Sequence, residues 1–215
     1  IYKDERGVFF ESFNQRDFEQ KTGLHVNFVQ DNQSISNKGV LRGLHLQKGE
    51  FSQTKLVRVI QGKVLDVVVD VRKNSPTFGK SFSCILSGEN NKQLFIPKHF
   101  LHGFSVLEDN TIFAYKCDNF YHKDSEDGVL YSDTNLNIDW ALTEVEIIVS
   151  EELNTFIEFE LWESFLKMSF KINTRRYQNR LILEKDTKGL FFLEEDFKID
   201  LPKEFSYLNK VLASL

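Results

Sequence analysis

His45 and His102 are the residues whose settings best suit acid–base chemistry. His45 lies in Arg42-Gly43-Leu44-His45-Leu46-Gln47, and His102 in Ile96-Pro97-Lys98-His99-Phe100-Leu101-His102-Gly103-Phe104. A lone histidine is more often structural than catalytic, but glycine and charge stand close to both. An imidazole titrates near neutrality, so His45 can take a proton from a carbon next to a ketone if the enolate is stabilised. Lys55 can supply that stabilisation. Inversion of the carbon then needs an acid on the opposite face, and the phenol of Tyr115 can deliver a proton there. The competing reading of Tyr115 is a core tyrosine on a strand. Arg6, Arg42 and Lys55 offer positive charge for a diphosphate, although singly each reads as a solvated surface charge.

A metal centre is the rival chemistry for histidines on strands. It needs a His-x-His pair with a following carboxylate, and a third histidine on another strand. His45-Leu46-Gln47 has one imidazole where two are needed, and Gln is a poor ligand for Zn or Fe. His99 and His102 are three apart and would face opposite sides of a strand. The expectation is a site without metal or other cofactor.

The elements that must position these groups are mostly strands. Residues 26–30, 55–60, 63–71, 81–87, 92–96 and 111–117 alternate, or run apolar with β-branched residues, between turn residues. Gln61-Gly62 separates two of them and suggests a tight hairpin. Val64, Asp66, Val68 and Asp70 share one strand face, more polar than usual and suited to line a cavity. Short strands with Gly, Asn and Ser turns imply an antiparallel sandwich or barrel. No glycine-rich strand–turn–helix unit occurs, which argues against a dinucleotide fold. After Trp140 the texture changes: Leu153, Phe156, Ile157, Leu161, Phe165 and Met168 recur at helical spacing. Residues 151–170 therefore read as an amphipathic helix, packed on the barrel in preference to binding a partner.

The 215 residues suffice for one domain with an appendage. A net charge of −5 argues against a nucleic-acid duplex as partner, while leaving room for a local basic pocket. Cys84 and Cys117 have no paired spacing and read as reduced thiols of a cytoplasmic protein. No apolar run reaches the roughly 18 residues of a membrane span, and no signal peptide is evident. The chain opens at Ile1 with a motif almost at once, so a preceding segment is expected.

Read in order, the motifs Asp4-Glu5-Arg6-Gly7, Phe10-Glu11-Ser12, Gln30-Asp31-Asn32-Gln33-Ser34, Arg42-Gly43-Leu44-His45 and Lys55-Leu56-Val57-Arg58 form a series. It continues with Asp66-Val67-Val68-Val69-Asp70-Val71-Arg72, Ser75-Pro76-Thr77-Phe78-Gly79, Ile96-Pro97, His102-Gly103-Phe104, Tyr115-Lys116, Asp133 and Ile138-Asp139-Trp140. The series resembles the dTDP-4-dehydrorhamnose 3,5-epimerase family over residues 1 to about 150. The resemblance implies a mainly β, cupin-like jelly-roll barrel without metal, usually a homodimer. It implies that the chain epimerises C3, C5 or both of a nucleotide-diphosphate-linked 4-keto-6-deoxy sugar. It implies His45 as general base and Tyr115 as general acid, with Arg6, Glu11, Gln30, Asn32, Arg42, Lys55, His102 and Glu126 around the substrate. Phe120 falls where the family has an aromatic near the nucleotide base, there more usually Tyr.

Two further departures stand out. His99-Phe100-Leu101 replaces the common Gly-Phe-Ala. The family's Ser-x-Lys-Asp segment, whose Asp orients the catalytic His, is missing from Val149-Ser150-Glu151-Glu152-Leu153, while Leu183-Glu184-Lys185-Asp186 restores a Lys-Asp pair later. The simplest expectation is a barrel over 1–145, a helical insertion over 146–182, and a segment over 183–215 that returns Asp186 to His45. Otherwise Asp66 or Asp70 is the orienter. Two other functions stay open on the residues alone: a catalytically inactive sugar-nucleotide-binding protein of the same fold, and a metal-dependent cupin isomerase or dioxygenase.

Overall fold

The alternation on residues 63–71 is realised as a strand with two different faces. In the computed structural model, which describes residues 1–150, 156, 158 and 159, and as strands only 173–177, 180–185 and 189–192, this element is Lys63–Asp70. Leu65, Val67 and Val69 point into one apolar core, and Val64 and Val68 into another. Asp66 sits on the second face with no exposure.

In chain order the strands are β1 (Tyr2–Asp4), β2 (Gly7–Phe9), β3 (Gln30–Ser36), β4 (Leu41–Gln47), β5 (Lys55–Gln61), β6 (Lys63–Asp70) and β7 (Ser81–Ser87). They continue with β8 (Gln93–Ile96), β9 (Phe100–Val106), β10 (Thr111–Cys117) and β11 (Glu126–Gly128). Two antiparallel sheets face each other, ordered β11-β4-β9-β6-β7 and β3-β10-β5-β8. This is a cupin-like jelly roll. The core between the sheets holds Val57, Val59, Val64, Leu86, Ile96, Phe104, Val106 and Phe113. The outer face of the five-stranded sheet is covered by the chain after β11, with Val129, Leu136, Trp140 and Phe159 packed on Leu41, Leu44, Val67 and Leu101. Burying each such side chain stabilises the fold by about 1.5–3 kcal/mol.

Several sequence expectations need correction. Gln61-Gly62 joins β5 and β6, but the two strands do not pair: β5 pairs with β10 and β8, and β6 with β9 and β7. The turn is a corner between sheets. Gly62 has φ 80° and lies against Thr111, where a side chain would collide. The strand expected at 26–30 begins only at Gln30 and runs to Ser36. Its inward residues Gln30, Asn32, Ser34 and Ser36 are polar, so no hydrophobic period marks it. A helix not expected from the sequence, α1 (Gln15–Thr22), is capped by Asn14, which accepts the Asp17 amide, and ends at Gly23 with φ 69°. Phe18 of α1 meets Phe13, Phe28 and Phe95 at 5.4–6.1 Å between ring centres.

Most of the expected helix at 151–170 lies outside the described residues. Phe156 and Phe159 are described, and both pack on the barrel. The Phe156 ring lies against Gly128, and Phe159 joins the outer core with its amide donating to Asp133 at 2.7 Å. Further on, β12 (Asn173–Tyr177), β13 (Arg180–Lys185) and β14 (Gly189–Phe192) form an antiparallel sheet in that order. Among the described residues no helix is long and apolar enough to cross a membrane.

Candidate active site

β4 carries His45 and is aimed by an irregularity. It pairs with β9 as Arg42↔Phe104 and His45↔His102, so Gly43 and Leu44 together oppose Gly103. One extra residue resets the alternation, as a β-bulge does. Leu41, Leu44 and Leu46 then face the outer core, and His45 and Gln47 face the space between the sheets. The bulge explains why both histidine motifs carry glycine. Gly43 has φ 101°, and a side chain there would run into the backbone of His102 and Gly103. A side chain at Gly103 would meet the Arg42 carbonyl at 2.7 Å.

Across the pair, the rings of His45 and His102 stand 6.5 Å apart. His102 turns its Nε2 to Asp66, 3.1 Å from each carboxylate oxygen. Asp66 is thus engaged by His102. Asp70 is engaged by Arg72, Ser75 and Thr77, which hold its carboxyl well below the usual carboxylate range. The fallback that either would orient His45 finds no support in these pairings. The expected Asp186 lies outside the described residues.

Lys55 opens β5 opposite Cys117 of β10 and is only 7% exposed. Its ammonium lies 5.9 Å from the centre of the Tyr115 ring. Burial, followed by the charges of Lys55, His102 and Arg42, drives the His45 pKa well down, so the imidazole is neutral at pH 7. Burial also lowers the Lys55 pKa and raises that of Tyr115, which keeps its proton. The facing sheets therefore bring together an uncharged imidazole, a poorly solvated ammonium and a protonated phenol. That set can remove a proton, hold a developing oxyanion and return a proton.

Around them, Gln30 donates to Asn32 at 2.9 Å, and Asn32 in turn to the Cys117 sulfur at 3.8 Å. Burial pushes the Cys117 thiol up to about 11. Glu126 of β11 pairs in register with Gln47, and Arg42 reaches solvent. Phe120 and Tyr121 are exposed on the loop after β10, and the Tyr121 amide donates to Gln30 at 3.2 Å. The sequence-expected residues His45, Lys55, His102, Tyr115, Gln30, Asn32, Arg42 and Glu126 thus lie on strands β3, β4, β5, β9, β10 and β11 of the two facing sheets. Arg6 and Glu11 do not join them within this chain: Arg6 pairs with Asp4 and Glu11 accepts from Asn14, both on the exposed N-terminal arm. Sequence reasoning missed Gln47, Cys117 and Tyr121. Gln47 was legible as the next inward residue after His45, and Tyr121 as an aromatic beside Phe120. Among the described residues no three His, Cys, Asp or Glu side chains converge on a point.

Residues 1–160 match the family model described as dTDP-4-dehydrorhamnose 3,5-epimerase. The chain belongs to this family. A dTDP-4-dehydrorhamnose 3,5-epimerase of Shigella flexneri is 56% identical over 142 residues, covering 66% of this chain and 78% of its own. One from Escherichia coli K12 is 49% identical over 161 residues, 75% of this chain and 87% of its own. Among solved structures, the dTDP-6-deoxy-D-glucose-3,5-epimerase of Legionella pneumophila, in complex with dTDP-4-keto-L-rhamnose, superposes with a TM-score of 0.73. It is 49% identical, and the match covers 77% of this chain and 87% of that one. The present epimerase is an isomerase of a nucleotide-linked keto sugar, and its matched region contains the whole cluster described above.

Proposed function

We propose that this epimerase inverts C3 and C5 of a dTDP-linked 4-keto-6-deoxyhexose. The observation that carries the reading is the placing of His45 on the inner face of its sheet, where burial keeps its imidazole neutral, together with Lys55 and Tyr115 on the facing sheet. His45 takes the proton from the carbon beside the C4 ketone. The electron pair moves into the carbonyl, and Lys55 compensates the charge on the enolate oxygen. Tyr115 delivers a proton to the opposite face of the same carbon, which completes inversion, and solvent restores both groups. His102, fixed by Asp66, borders the same ring. Arg42, Gln30, Asn32 and Glu126 surround the nucleotide end, with Phe120 beside the base. Asp186 is the proposed carboxylate that orients His45.

The functional unit is a homodimer in this reading. Tyr2, Val8 and Phe9 are 75%, 56% and 69% exposed on the β1–β2 arm. An apolar arm of this kind favours burial against a second copy, and would carry Arg6 and Glu11 to the partner's cleft. The protein is cytoplasmic, needs no metal or other cofactor, and has neither nucleic acid nor membrane as partner. The test is an NMR assay in deuterated water with dTDP-4-keto-6-deoxyglucose, before and after chelation. Deuterium at both C3 and C5 in both samples is expected. Label at one carbon would make it a single-centre epimerase, and none at all would leave a binding protein.

A further inference from the structure

Two buried side-chain polar atoms lack a hydrogen-bond partner among the described residues, Ser36 Oγ and Gln47 Nε2. Gln47 alone shares a strand face with His45, two residues along β4. Its amide orientation is fixed by chemistry: the backbone N–H of His122 donates to Oε1 at 2.9 Å, and only the oxygen can accept it. The NH2 group is therefore left over, in a residue only 4% exposed. The carboxylate of Glu126 belongs to the paired residue on β11, yet it does not take that donor. A buried donor with nothing to bond costs stability, and a tether for His122 alone needs just an acceptor. The rim loop is held elsewhere as well, by the His122 ring stacked on Phe51 at 4.1 Å and by Asn119 donating to the Glu50 carbonyl.

We infer that the Gln47 side-chain NH2 is a substrate-binding donor that grips an oxygen at the anomeric end of the nucleotide sugar. This rests on the epimerase reading of the site. Two residues of strand span about 6.6 Å, roughly one pyranose ring. Gln47 ends β4 on the same side as Lys55 begins β5 and Glu126 begins β11, so it lies nearer the rim than His45. With the ring at His45 and the nucleotide toward the rim, the oxygens within reach are the sugar 2-hydroxyl and the glycosyl phosphate. Both are acceptors, and a neutral amide serves either without adding charge beside Lys55. Gln47 thereby selects the register at which the ring stops against the base.

The experiment compares wild type with Gln47→Glu and Gln47→Met. Gln47→Glu keeps an oxygen for the His122 amide and replaces the donor by an acceptor. Gln47→Met removes the donor without introducing charge. The readouts are KM and kcat for the 4-keto sugar nucleotide, deuterium exchange, affinity for dTDP alone, and the thermal midpoint. Both variants should raise KM roughly tenfold or more while kcat changes less. A matching loss in dTDP affinity assigns the phosphate; unchanged dTDP affinity assigns the 2-hydroxyl. If KM for the sugar nucleotide stays within twofold of wild type in the folded variants, the inference is overturned and Gln47 is a loop tether only. Wild type supplies the separate control, because absence of exchange there would defeat the epimerase reading itself.

Discussion

Asp66 and His102 form a buried pair at the centre of the barrel, with Nε2 equidistant from the two carboxylate oxygens. Asp66 has no exposure and His102 only 4%. The pair holds the His102 ring beside the Phe104–Phe113 stack, inclined 36° to Phe104 and 26° to Phe113, and the centres of the two stacked rings are 4.0 Å apart. Removing one partner of such a pair leaves the other without compensation. Asp66→Ala should destabilise the fold by about 3 kcal/mol, and Asp66→Asn by less, because it keeps one acceptor. Urea unfolding measures both, and equal stability of Asp66→Ala and wild type would contradict the assignment.

His45→Asn should lower kcat at least about a hundredfold, the usual contribution of a positioned base. The same residue sets an acid limb. Its folded pKa lies below the ordinary 6.5, so kcat/KM should hold steady through that value and fall only at lower pH. Stability follows the same sign: below about 6.5 the unfolded imidazole takes a proton that the folded one refuses, so His45 costs stability as pH falls. In the Asn variant that contribution to the pH–stability curve should vanish. A residual rate with an unshifted limb would assign the base elsewhere.

Tyr115→Phe should separate exchange from inversion. The base still removes the proton, so deuterium enters the substrate, while net epimerisation falls by about a hundredfold or more. Retention of both activities would make water or another group the acid. Burial raises the pKa of Tyr115 above its ordinary 10 and lowers that of Lys55 below its ordinary 10.5. Loss of the Lys55 charge therefore contributes to the alkaline limb, and a limb that persists in Tyr115→Phe belongs to Lys55.

Gly43→Ala places a methyl group against the carbonyl of His102 at a backbone conformation with φ 101°. The strain should cost about 1–3 kcal/mol and rotate His45 out of line. Activity should fall more than thermal stability alone explains, when both are measured below the melting range. Wild-type kinetics in this variant would show that the bulge does not aim His45.

Asp186→Asn should depress kcat by at least tenfold if Asp186 orients the base, with little change in dTDP affinity. An unaltered rate would remove Asp186 from the mechanism and leave His45 oriented by a group still to be found by substitution of the acidic residues after Ser150.

How much of this was legible beforehand differs from element to element. β6 was readable because its two faces differ in polarity, and β10 because it is a short run rich in β-branched and aromatic residues. β3 was misplaced and β4 unnoticed for the opposite reason: their inward faces are Gln, Asn, Ser and His, which carry the site and erase the hydrophobic period. The bulge at Gly43 also breaks the alternation where His45 needs to be re-aimed. His45, Lys55 and Tyr115 were singled out by chemistry, and the fold places them on facing sheets. The Asp66–His102 pair was not, because 36 residues separate its members and only the β6–β9 register brings them together. Gln47 had entered the sequence reading only as an argument against metal.

Cys117 has a consequence outside catalysis. Its sulfur is fully buried between Lys55 and Asn32, and its thiol stays protonated to about pH 11. Alkylating reagents need the thiolate and a path to it, so in the closed barrel this cysteine is silent. The half-buried Cys84 stands on the edge strand β7. Labelling at Cys117 therefore times the parting of β10 from β3 and β5, as protected amides time local opening. Slowing of that clock by a nucleotide sugar would report its binding without any turnover, and Cys84, in the other sheet, gives the reference rate in the same molecule.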